Sequence, residues 1–290
     1  MKRKYDFVFS LGSACLCSQS LRNAGLQYAS YPLDWVWGGN MRMRADLVVG
    51  GFDGWFEKRD FQLCPNPGAF GHDAYVNRKT GMLFPHAYPK GVPIDESYPA
   101  VRERMDRQVA RLYERLEKSG RVLIVWFGDA RDEERVSRED VEYCLRSFSR
   151  RWSKTLFEML ALDQLPGVPA ESMQRMSGPG FLLCAFDYRD SSPGAPVWAY
   201  RQDLVAPFLA DVFARDYRTW KEKRRYRKAR MERESARYGV SSRLELFWIR
   251  LQIRLCRHII KKLHRRGVDI HIAAPCPQGS HASVDTGGGS

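Results

Sequence analysis

The stretch FVFSLGSACLCSQSLRNAGL, residues 7–26, decides how the rest of the chain is read. Large apolar and β-favouring residues run from Tyr5 to Leu11 and stop at Gly12, which predicts a buried strand. Ser13 is placed as N-cap of a helix that begins at Ala14 and stops at Gly25, a common C-terminal glycine. Cys15 then occupies the second helical position. Unpaired backbone N–H groups and the positive end of the helix dipole favour a thiolate there. The same N–H groups suit an oxyanion on a bound carbonyl. The competing reading is a packed cysteine, since free cysteine is among the most buried residue types.

Outward from this stretch, YASYPLDWVWGGN (28–40) reads as a loop broken by Pro32 and the Gly38-Gly39 pair, with a short helix at 41–49. CPNPGAFGHD (64–73) is also loop-like. DAYVNRKTGMLFPHAY (73–88) predicts a β-hairpin around residues 78–81, with Gly81 in the left-handed position. Residues 97–118 have a helical period that puts Val101, Met105, Val109, Leu112 and Leu116 on one side. RVLIVWFGD (121–129) is the clearest buried strand. A long helix is expected at 138–162, a second buried strand at 180–188 and a short helix at 203–214. The intervening LPGVPAESMQRMSGPG (165–180) reads as a loop. The plan is α/β, with α+β as the alternative. Strands 5–11, 121–127 and 180–187, apolar on both faces, share one mostly buried sheet with helices 97–118 and 138–162 packed on it.

An apolar content of 44% over 290 residues argues against wholesale disorder. The seven cysteines are scattered at positions 15, 17, 64, 144, 184, 256 and 276, an odd number that suits reduced thiols better than a disulfide framework. Cys15-Leu16-Cys17 has no companion pair, so neither structural zinc nor a cofactor is expected. The apolar run of MKRKYDFVFSLGS is too short for a signal peptide, and no stretch of 18 uncharged apolar residues occurs, which leads to a cytoplasmic reading.

Residues 215–266 carry 19 basic and 5 acidic side chains in a chain whose net charge is +13, so a nearly neutral body bears one basic arm. The expected organisation is a catalytic domain at 1–214, a basic helical extension at 215–274 and a disordered tail at 275–290. Within the arm, 242–266 aligns Leu244, Phe247, Trp248, Leu251, Leu255, Ile259 and Leu263 against Arg250, Arg254, Arg257, Lys261 and Arg265. Such a helix suits an anionic membrane surface, with the inner membrane surface as the expected place. Packing on the protein's own body and nucleic-acid binding are the other two readings.

A thiol nucleophile needs a base, and two histidines precede the arm. His72 lies in a Gly-rich loop beside Asp73. His86 lies in MLFPHAY, where Pro85 suggests a strand end or edge. SLGSACLCSQSLRNAGL, SYPLDWVWG and YVNRKTGMLFPHAY together resemble the papain-like cysteine peptidase family DUF1796 over roughly residues 5–130. Ser30-Tyr31-Pro32-Leu33-Asp34-Trp35 is the most specific part. The resemblance implies a papain-like-type catalytic domain with Cys15 as its cysteine, His86 as its histidine and Asp34 as the aspartate before tryptophan. Leu33 stands where the family has phenylalanine, and Ala87 follows His86 where an aspartate is usual.

In that chemistry Cys15 attacks a carbonyl carbon, His86 takes and returns the proton, and an acid orients the imidazole. Asp34 is the first choice for the acid. Asp129 is the second, because strand ends line clefts in α/β folds. The structural reading of Asp34 is a carboxylate capping N–H groups of its proline loop. The expected activity is a cysteine hydrolase, a papain-like peptidase or amidase acting on a peptide, amide or ester carbonyl. The alternatives are a cysteine-dependent acyltransferase at the membrane surface and a non-catalytic protein docking anionic lipid or nucleic acid.

Overall fold

The computed structural model describes residues 3–67, 71–129, 135–193, 195, 199–214 and 251. The chain divides into two compact units, Met1–Tyr217 and Arg218–Ser290, and the sheets lie in the first. The expectations for the basic arm, its amphipathic stripe and the tail fall outside the described residues, Leu251 apart.

The first unit runs β1 (Arg3–Tyr5), β2 (Phe7–Ser10), α1 (Cys15–Asn23), α2 (Met41–Val49), β3 (Phe61–Pro67), β4 (His72–Asn77), β5 (Leu83–Pro89) and α3 (Ile94–Lys118). It continues through β6 (Arg121–Phe127), α4 (Arg138–Arg151), β7 (Leu156–Gln164), β8 (Gln174–Gly178), β9 (Phe181–Phe186), α5 (Gln202–Leu209) and β10 (Val212–Ala214). Among the described residues the main sheet has five strands in the order β2-β6-β7-β9-β8. The first four are parallel and β8 closes the edge antiparallel. A three-stranded antiparallel sheet, β3-β4-β5, and the parallel pair β1–β10 complete it.

Alternation along the parallel strands builds two cores. Phe7, Phe9, Ile124, Trp126, Met159 and Leu183 face one way, into a cluster shared with α2, α3, α4 and the small sheet. Val8, Leu123, Val125, Leu162 and Cys184 face the other way, against α1 and α5. A parallel sheet is covered on both faces because its crossovers lay helices there, so its strands read as continuous apolar runs. The α/β architecture expected from the sequence is the observed one, with 7–10, 121–127 and 181–186 in one sheet.

Four elements differ from expectation. The helix expected at 138–162 ends at Arg151, and 156–164 is β7, a core strand of the sheet. Leu156, Phe157, Met159, Leu160, Ala161 and Leu162 are mostly good helix formers, and burial on both faces removes the alternation that marks a strand. The presumed loop at 165–180 contains β8, whose side chains are mostly exposed and so carry no apolar signal. The presumed loop at 64–73 begins with CPNP in β3, an edge strand that tolerates proline, and ends with His72 and Asp73 in β4. The helix expected at 203–214 ends at Leu209, before β10.

Candidate active site

The turn between β2 and α1 sits at the carboxyl edge of the parallel sheet. Its ladder to β6 continues past the strand, through Leu11 N–H to the Val125 carbonyl at 2.8 Å and Ser13 N–H to the Phe127 carbonyl at 3.2 Å. The Ser13 hydroxyl also donates to Phe127, at 3.4 Å. Ser13 is thereby held to the sheet and is not the helix cap. Ala14 takes the N-cap position with no side-chain hydrogen bond, and Cys15 is the first helical residue rather than the second. Gly12 is required for close approach: a Cβ there would lie 2.5 Å from the Cys17 Cβ and 2.9 Å from the Phe127 nitrogen.

Cys15 is half-buried, whereas Cys17, Cys144 and Cys184 are buried and Cys64 is half-buried on β3. Burial pushes the Cys17 and Cys144 thiols up to about 12. Burial thus favours the protonated thiol at both. Among the described residues the Ala14 N–H meets no acceptor, so the cap position leaves a donor beside the Cys15 thiol.

The loop at 28–40 is anchored to this turn. Gly38 N–H donates to the Ser13 carbonyl at 2.9 Å, and the Ser18 hydroxyl of α1 donates to the Asp34 carbonyl at 2.8 Å. Asp34 is fully buried. Its Oδ2 accepts from the Tyr31 N–H at 2.8 Å and the Gln27 amide at 2.5 Å, with Arg22 at 3.8 Å. Burial pushes its carboxyl up to about 7, against the opposing pull of the Tyr31 N–H, Arg22 and Gln27. This is the capping arrangement that closes the proline loop.

His86 lies on β5. Its ring meets Trp35 edge-on with centroids 5.7 Å apart, and His72 of β4 at 6.3 Å. The Arg22 guanidinium lies over the Trp35 ring at 5.2 Å. Burial, and then the neighbouring His72, lower the His86 pKa, which favours the neutral imidazole. His86 and Trp35 border a cleft of about 350 Å³ whose other walls include Phe84, Met105, Arg104 and Gln108. Trp37 stitches the loop to the same strand, exchanging backbone hydrogen bonds of 2.9 and 2.8 Å with Leu83.

The structure therefore joins the three motif segments through backbone contacts, with Asp34 and Trp35 between the cysteine turn and the histidine strand. Among the described residues no hydrogen bond links His86 to Cys15 or to Asp34. Asp129 follows β6 on the same sheet edge and is buried. No group of three His, Cys, Asp or Glu side chains suited to a metal occurs among the described residues, and none of their helices is long and apolar enough to cross a membrane.

Arg44 was not singled out by the sequence, yet it is fully buried and bonded to both the cysteine turn and the 28–40 loop. A signal was present. Met41, Ala45 and Val48 form the apolar face of α2, and position 44 falls on that face. The cleft walls from α3 were equally hidden, since helical period does not tell which partner a face meets.

The family described as "Putative papain-like cysteine peptidase (DUF1796)" matches residues 6–150, half of the chain. The chain belongs to this family. No curated protein and no solved structure matches it.

Proposed function

We propose that this DUF1796 member is a cysteine-dependent hydrolase of amide or ester bonds, with Cys15 as nucleophile and His86 as general base. The observation that carries the reading is the place of Cys15: first residue of α1, half-buried, at the carboxyl edge of a parallel sheet where ligands of such folds bind. The helix start favours the thiolate, and the Ala14 N–H is a donor for the oxyanion that forms when sulfur attacks a carbonyl. A neutral His86 accepts the thiol proton and returns it to the leaving group, after which water releases the acyl group from sulfur. Catalytic contacts commonly tighten only on substrate binding, so the lack of a His86–Cys15 hydrogen bond among the described residues is consistent with this role.

Asp34 enters through the loop it closes: its Oδ2 holds the Tyr31 N–H and the Gln27 amide, and among the described residues no hydrogen bond joins it to His86. The His86 cleft is the substrate subsite, with Trp35 as its aromatic wall. The amphipathic segment 242–266 would bring this activity to an anionic membrane surface, each basic residue near it contributing about 1 kcal/mol. Co-sedimentation with anionic vesicles that persists after deletion of 242–266 would remove that part.

The test is p-nitrophenyl acetate, an activated ester with few binding demands. A burst of nitrophenolate with an acetyl group mapped to the Cys15 peptide, absent in Cys15→Ala, is expected. Acetylation spread over other cysteines, or turnover unchanged in Cys15→Ala, refutes the assignment.

A further inference from the structure

The guanidinium of Arg44 has five N–H donors in a planar fork. Each faces a backbone carbonyl. Nε donates to Gly38 at 2.9 Å; Nη1 to Gly12 at 2.5 Å and Leu33 at 3.4 Å; Nη2 to Ser13 at 3.0 Å and Val36 at 2.7 Å. Two of these carbonyls belong to the turn before Cys15, and three belong to the loop that carries Asp34 and Trp35. The side chain is fully buried. Burying a guanidinium is unfavourable unless its donors are met, and five carbonyl dipoles meet them here, with the buried Asp34 carboxyl near enough to interact with the charge.

The geometry has two consequences at the cysteine. No peptide bond in the described chain is cis. In a trans peptide the C=O and N–H point to opposite sides. Drawing the Ser13 carbonyl onto the guanidinium therefore turns the Ala14 N–H away from it, and that is the N–H that meets no acceptor among the described residues. The second consequence is electrostatic. A permanent positive charge hydrogen-bonded to Gly12 and Ser13 stands beside the first turn of α1, where it adds to the field of the helix start.

We infer that Arg44 is the positioning residue of the thiol site: it fixes the Gly12–Ser13 peptide planes, aims the Ala14 N–H and favours the Cys15 thiolate by charge. The inference rests on Cys15 being the nucleophile. Arg44 touches no substrate in this account. It acts through the turn. Lysine in its place keeps the charge but has three donors for five carbonyls, and methionine keeps neither.

The experiment is the pH dependence of Cys15 alkylation by iodoacetamide, followed by peptide mapping in the full-length chain. The wild type comes first: an ordinary Cys15 pKa there overturns the nucleophile reading itself, before any Arg44 variant is examined. Given a depressed wild-type value, Arg44→Met is expected to raise the apparent pKa by about one unit and slow labelling near neutral pH by roughly three- to tenfold. Arg44→Lys is expected to keep most of the depression, which a purely structural role would not do. Equal apparent pKa values in wild type, Arg44→Lys and Arg44→Met would overturn the inference and leave the nucleophile intact.

Should the variants not fold, arginine side-chain nitrogen NMR on folded protein decides. Asp34 also faces Arg44 and titrates, so wild type is compared with Cys15→Ser. A step in the Arg44 signals that follows the Cys15 titration and vanishes in Cys15→Ser supports the inference. Arg44 signals indifferent to Cys15 ionisation overturn it.

Discussion

The cysteine turn and the histidine strand are built on different principles. Around Cys15 the backbone is determined by directional contacts: the ladder to β6, the Gly38 bond and the five-carbonyl clamp of Arg44. Around His86 the contacts are mostly aromatic. Trp35 and His72 meet its ring, while Phe84 and Tyr88 on the same strand pack into a cluster with Trp55, Phe56, Phe61 and Tyr75. The pairing of β4 with β5 also shifts register between Asp73 and Tyr75. Hydrogen-bonded turns have one geometry, whereas aromatic packing is less directional and tolerates small displacement. The cysteine turn is thus the more directionally held of the two, and on the proposed reading any adjustment on substrate binding falls to the strand side.

The largest expected effect separates the two regions by function. His86→Asn should lower kcat/KM toward an activated ester by about 10²–10⁴ while leaving thermal unfolding nearly unchanged, because the residue borders a cleft and not the core. Its wild-type activity should fall on the acid side only below the ordinary histidine value, since the folded protein favours the neutral ring. An acid limb above that value, or a variant that loses stability along with activity, would erase the contrast.

The next effect lies on the cysteine side. Gly12→Ala forces a methyl into contact with Cys17 and the Phe127 backbone, and backbone cannot step aside. A loss of about 3 kcal/mol in urea unfolding is expected, together with weaker Cys15 labelling. An unchanged midpoint would mean that the turn is softer than its hydrogen bonds suggest.

Asp34 belongs to both regions, and its effect is confined to one pH window. Its folded pKa of about 7 lies above the unfolded value near 3.8, so the fold favours the protonated acid. Stability from this group is complete below the unfolded value and is lost as pH rises through the folded one. The slope between them approaches 1.4 kcal/mol per pH unit, about the free energy of one pKa unit. Asp34→Asn should flatten that part of the stability–pH curve, measured by urea unfolding from pH 4 to 8. An identical slope in the variant would show that Asp34 does not titrate there.

Much of this was legible in the sequence, for physical reasons that also mark where legibility stops. The β2 to α1 transition, the left-handed Gly81 at φ 68° and the strands at 121–127 and 181–186 follow from apolar runs and turn chemistry. Strand β7 was hidden because a strand buried on both faces and rich in leucine carries no period of its own. The N-cap shifted by one residue because Ser13 finds a better partner in Phe127, 114 positions away. Arg44 was readable only as a charge on an apolar helix face. Its five carbonyls come from two segments that only the tertiary fold brings together.

The most direct test of the account compares Cys15 with Cys64, the two half-buried cysteines among the five described. Iodoacetamide labelling near neutral pH, read by peptide mapping, should modify Cys15 first, with an apparent pKa below the ordinary thiol value. Cys64 should follow more slowly, and the buried Cys17, Cys144 and Cys184 last. Labelling of Cys15 no faster than Cys64, with an ordinary pKa, would contradict the account.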